Sequence, residues 1–263
     1  MRGRYLTPRR MSEIERSLSD RDRAVLATLV RVRLATGDQL ARLHGTGVSR
    51  RQARQVLASL TERRLLARLP RLVGGVRAGS AGYVYGLDIA GHHLTRAGGV
   101  RPHRPWQPGP AFLAHTLAVT ELYVRLRAAE RDGLVRLSEF VTEPACWQAF
   151  PGPGGGRVVL KPDAQLVLQL GGYEDRWFVE VDRATEATTR LTRACDRYRA
   201  YWASGLEQAC HGVFPRVLWL VPDERRHAQL VDVLGHQPAE AWPLFTAALY
   251  DDAVPRLLEG AGS

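Results

Sequence analysis

Apolar positions in the first third of the chain recur at helical spacing. Over residues 19–34, Val25, Leu26, Leu29 and Val30 return every three to four positions, Ser19 stands where a cap is needed, and Asp22 occupies the third helical position. Thr36 and Gln39 repeat the capping pattern ahead of Leu40 and Leu43. Gly45 and Gly47 then break the run, and Ser49 opens a third helix to about residue 63. Three short helices with a tight glycine turn between the second and third predict a helix-turn-helix.

Two β-type runs follow, residues 65–69 and 83–87, around a Gly-rich basic stretch that holds Arg71 and Arg77. They predict the wing of a winged helix, with a plain hairpin closing a helical domain as the alternative. Residues 98–110 carry four prolines and three glycines without periodicity, which predicts a semi-rigid linker. The expected organisation is therefore a basic arm (1–18), a winged helix (19–97), the linker, and a second domain (111–263).

That second domain opens with an apolar-striped helix, 112–132. Strand-like runs come at 134–142, 158–170 and 176–182, the last two joined by Gly171, Gly172, Tyr173 and Glu174. A helix at 185–202, an apolar strand at 216–221 and another helix complete the order α-β-β-β-α-β. The expected fold class is α+β, a winged helix followed by an α/β domain with a mixed sheet. The order of the second domain is the skeleton of the PD-(D/E)xK nuclease-like fold.

Composition changes the picture mainly through charge. An apolar fraction of 45% with 24% charged residues excludes wholesale disorder. No run is apolar enough to span a bilayer. The basic start leads into charged sequence without an apolar core, so no secretory signal is expected. Cys146, Cys195 and Cys210 are far apart, which argues against a disulfide framework or zinc knuckle and for a cytoplasmic protein. The net charge of +10 is uneven: residues 1–110 hold 21 Arg against 7 acidic residues, a net of +14, whereas the remaining 16 basic and 20 acidic residues give −4. A cationic front joined to a mildly acidic back points to a polyanion-binding module. Lys161 is the one lysine.

On the third helix, Ala53, Val56, Leu57 and Leu60 point one way, and Arg51, Gln55, Ala58 and Glu62 the other, with Arg54 and Ser59 on the flanks. Arg and Gln read guanine and adenine edges in the major groove by paired hydrogen bonds. Arg50, Arg71 and Arg77 suit phosphates. Double-stranded DNA is thus the expected partner, with a homodimer as one expected assembly and no membrane association.

Lys161, Pro162 and Asp163 open one strand of the back half, and Glu180 and Asp182 end the next. Hard oxygen ligands at this spacing suit Mg or Mn, which orients water and polarises a phosphodiester. A four-residue turn at 171–174 would place Glu180 opposite Gln165, on the face of Asp163, and Asp182 opposite Asp163. A five-residue turn would separate Asp163 from Glu180. Glu121 is a further candidate ligand or an exposed helix residue, and His115 reads as a surface or core histidine.

The stretch KPDAQLVL, followed by WFVEVDRATEATTRLTRACDRYRAYW, resembles the replication-relaxation family of bacterial plasmids and mobile elements. The resemblance spans about residues 19–225. It implies a winged helix ahead of a PD-(D/E)xK-like domain, and a role in replication, relaxation or transfer of mobile DNA. The chain departs from the motif where Asp182 stands in place of the lysine. Arg190, Arg193 and Arg197 share a helix stripe with Tyr201, which makes Arg193 the candidate stand-in beside Asp163, Glu180 and Asp182. An arginine stabilises phosphorane charge but is no base. Two readings stay open: a Mg- or Mn-dependent nickase, and a non-enzymatic regulator whose nuclease-like domain serves dimerisation or partner contact.

Overall fold

A computed structural model describes residues 7–69, 82–95, 108–152, 155–184 and 187–259. The chain falls into two compact units, Met1–Val124 and Arg125–Ser263. It is of the α+β class.

The front unit begins with α1 (Pro8–Arg16) where the sequence suggests only an arm. Thr7 caps it, Pro8 fits the first turn, and Met11 and Ile14 are buried. The helices α2 (Asp20–Val32), α3 (Gly37–His44) and α4 (Arg50–Glu62) follow, each opened by a complete capping box: Ser19 with Asp22, Thr36 with Gln39, and Ser49 with Gln52. Val25, Leu26 and Leu29 are buried as their spacing requires, but Val30 is 42% exposed, because α2 buries a narrower stripe than its apolar run suggests. Between α3 and α4, Gly45 is obligatory: a Cβ there would sit 2.4 Å from the Ala41 carbonyl oxygen.

Strands β1 (Ala35–Thr36), β2 (Leu66–Leu69) and β3 (Val84–Leu87) form a sheet in the order β1-β3-β2, and α5 (Ile89–Leu94) comes next. Arg71 and Arg77, with most of the expected linker, lie outside the described residues. Helix α6 (Pro110–Arg131) runs through the division between the units. Its first part is built into the front unit: Leu113 packs with Leu34, Leu69 and Val84, and the buried Thr120 hydroxyl donates to the Leu34 carbonyl at 2.7 Å.

The back unit holds β4 (Arg136–Thr142), β5 (Gln148–Pro151), β6 (Arg157–Leu160), β7 (Ala164–Leu170), β8 (Tyr173–Val181), α7 (Thr188–Ala203), α8 (Leu206–His211), β9 (Arg216–Val221), α9 (Glu224–Gly235), β10 (Phe245–Leu249) and α10 (Ala253–Glu259). Five strands make one mixed sheet, β10-β9-β8-β7-β4, in which β8, β9 and β10 are parallel and β7 and β4 antiparallel to their neighbours. Helices α7 and α9 share the core that Phe178, Val217 and Trp219 turn out of one face.

The expected long strand over 158–170 is two. Pro162 cannot donate to a ladder, so β6 ends at Leu160 and pairs with β5 in a separate ribbon, and β7 starts at Ala164. The β7–β8 connection is also shorter than expected: Leu170 pairs with Tyr173 across Gly171 and Gly172, with Gly171 at φ +60. Gln165 consequently faces Phe178, not Glu180, and Asp182 does not stand opposite Asp163.

Candidate functional site

Helix α4 gathers the first set of candidates. Leu57 and Leu60 fix its inner side at 4% and 0% exposure. Arg50, Arg51, Arg54, Gln55 and Ser59 are all exposed, as the helical period requires. Among the described residues no ion pair engages the three arginines. The helix is held from both ends, by the Ser49 box at its start and at its end by Arg63, whose Nη2 donates to the Ile14 carbonyl (3.1 Å) and the Ser17 hydroxyl (2.7 Å) of the α1 region. Its outer face is thus a rigid row of donors turned to solvent.

The second set lies where β7 begins and β8 ends. Asp163 straddles Glu180: its backbone N–H donates to the Val179 carbonyl at 3.0 Å, and its carboxylate accepts from the Val181 N–H at 2.7 Å. Glu180 accepts from the buried Tyr198 hydroxyl of α7 at 2.6 Å. Burial foremost, and then the Glu180 charge, raises the Tyr198 phenol well above its ordinary value, so it stays a donor.

The other acidic candidates are placed elsewhere. Asp182 forms a buried ion pair with Arg226 of α9, its side chain 1% exposed, while its second oxygen accepts from the Ala184 N–H. Glu121 belongs to the front unit, where Arg42 grips it in bidentate fashion at 2.8 and 3.0 Å and Gln39 donates at 3.1 Å. The hydrogen bond to Glu121, before any other cause, raises the Arg42 guanidinium. Arg193 is exposed on α7, whereas Tyr201 is buried and donates to Glu207, so the expected stripe divides. The α7 side chain that meets Glu180 is Tyr198.

These placements set the chemistry within reach. Asp163 and Glu180 are two carboxylates at one strand end, and among the described residues no group of three or more His, Cys, Asp or Glu is placed to hold a metal ion. Two carboxylates with water completing the shell are a donor set of the kind Mg or Mn accepts. Tyr198, Arg226 and Arg42 are partners that sequence reasoning missed. Each lies 18 to 79 positions from the carboxylate it engages, and no local pattern marks such pairs.

Among the described residues, no helix is long and apolar enough to cross a membrane. The Replication-relaxation family model matches residues 26–217. No curated protein and no solved structure matches the chain.

Proposed function

Because the chain belongs to the replication-relaxation family, we propose that it is a DNA-binding protein acting in plasmid or mobile-element replication or relaxation. In this reading the front unit is a winged helix, and α4 enters the major groove. Arg51 and Gln55 meet base edges, Arg54 and Ser59 flank them, and Arg50, with Arg71 and Arg77, serves phosphates. The observation that carries it is the exposed donor face of α4, on a helix anchored at both ends and preceded by a glycine turn. The test is site selection from random duplexes, followed by binding of variants. Arg51→Ala and Gln55→Ala should relax specificity, whereas Arg50→Ala should weaken all sequences alike. Equal, sequence-independent losses for all three would overturn the placement of α4.

For the back unit, the sheet order and the meeting of Asp163 with Glu180 support a PD-(D/E)xK-type scaffold. The engaged state of the carboxylates supports the regulator reading over the nickase, because Asp182 and Glu121 are committed to Arg226 and Arg42. The nickase reading rests on the Asp163–Glu180 pair, with Arg193 as the phosphate-stabilising group and Mg or Mn as the ion. Supercoiled plasmid incubated with protein and Mn²⁺ separates the two. Nicking that Asp163→Ala abolishes establishes the enzyme; intact plasmid that is still shifted on a gel by both proteins establishes the regulator.

A further inference from the structure

The β5–β6 ribbon has two unlike faces. Phe150, Val158 and Leu160 turn inward and pack with Tyr198 and Tyr201 of α7. By the alternation of a pleated strand, Arg157 and Val159 share the outer face. One step beyond the Gln148–Leu160 pair, Trp147 and Lys161 meet on that face, with the Lys161 ammonium 4.5 Å from the indole centroid. Trp147 is 36% exposed. The outer face thus bears a cation-flanked indole at its base and Arg157 roughly 13 Å along it. Arg193 and Arg197 point outward from α7. Tyr201 packs 5.0 Å from Phe150 on the inner side of β5, so α7 backs the ribbon, and these arginines face solvent from that helix.

Among the described residues no ion pair engages Arg157, Arg193 or Arg197. Two cations, Lys161 and Arg157, and a solvent-facing tryptophan therefore share one face in a half of the chain that is acidic overall. The neighbouring carboxylates Asp163 and Glu180 are half-buried and turned onto Val181 N–H and Tyr198. A duplex hides the faces of its bases; an unpaired strand offers them. An aromatic platform beside two cations matches the second kind of ligand, because stacking tolerates any base while the cations follow the phosphates.

We propose that this face binds single-stranded DNA, with a base stacked on Trp147 and phosphates held by Lys161 and Arg157. The choice of DNA over RNA rests on the duplex-DNA reading of the front unit. The stacking site itself does not depend on it.

The test uses the full chain and the fluorescence anisotropy of a labelled oligothymidylate, with an oligouridylate of the same length and a selected duplex as further arms. Trp147→Ala should weaken oligothymidylate binding about tenfold, and Trp147→Phe should retain most of it. Arg157→Glu should weaken it and flatten its salt dependence. Arg51→Ala should leave it unchanged while impairing the duplex. Oligothymidylate binding indifferent to Trp147→Ala, abolished by Arg51→Ala, or weaker than oligouridylate binding would overturn the proposal. A failure of the front-unit reading shows separately, as duplex binding that ignores Arg51→Ala while the Trp147 effect stands.

Discussion

On α4, three arginines and a glutamine stand in solvent with no ion pair to the arginines among the described residues; where β8 ends, Asp182 lies under Arg226 and Glu180 under Tyr198. Both regions are charged and both attract a functional reading from sequence. Their difference is one of satisfaction. A donor that faces water retains its capacity for an outside partner, whereas a carboxylate whose lone pairs are filled from within acts on the fold.

The largest effect expected from breaking this contrast is at the buried pair. Arg226→Ala leaves the Asp182 carboxylate charged and uncompensated, and should cost about 3–5 kcal/mol of stability. Chemical denaturation checks it, and a loss below about 1 kcal/mol would mean that Asp182 is not structurally committed. Next comes α4, where Arg51→Ala should leave denaturation unchanged yet cost about 1–3 kcal/mol in binding to the preferred duplex. A change in melting there would show that the face is not merely solvent-directed. Tyr198→Phe removes one donor from Glu180 and should cost about 1–2 kcal/mol, measurable by thermal melting.

The smallest effect is on pH dependence. Burial pushes the Cys146 and Cys195 thiols up to about 12 and raises the Tyr198 phenol. The unfolded chain therefore gives up these protons first, thiols near pH ~9 and phenol near ~10. Stability from these groups is present below those values and is lost as pH rises towards the folded ones. Melting temperature should hold from pH 7 to about 9 and then decline, less steeply for Tyr198→Phe.

What could be read in the sequence was local. The boxes at Ser19 and Thr36 are set by residues three apart, and each formed, as did the cap at Ser49. The strand 216–221 is apolar and short, and stands at those bounds. Pro162 carried its own warning inside the expected strand, and the break falls there. The register of β7 and β8 depended on the turn at Gly171 and Gly172, and two residues of difference redirected Asp182. The weak pattern of β10 (Phe245–Leu249) gave no strand signal, because its place depends on pairing with β9. For the candidate site, the period of α4 sufficed to sort its faces. The fates of Asp182 and Glu121 were set by Arg226 and Arg42, distant arginines that sequence spacing does not single out.

Helix α6 has a practical consequence for anyone dividing this protein. A truncation ending at residue 97 discards Leu113 and Thr120, stripping cover from Leu34, Leu69 and Val84 and leaving the Leu34 carbonyl without its donor. A fragment beginning at 111 carries that apolar stretch away from its own core. The division between the units falls within α6, so a cut made there severs a helix. The halves cannot be exchanged as cassettes between relatives unless the whole helix, and the residues that receive each end of it, travel together.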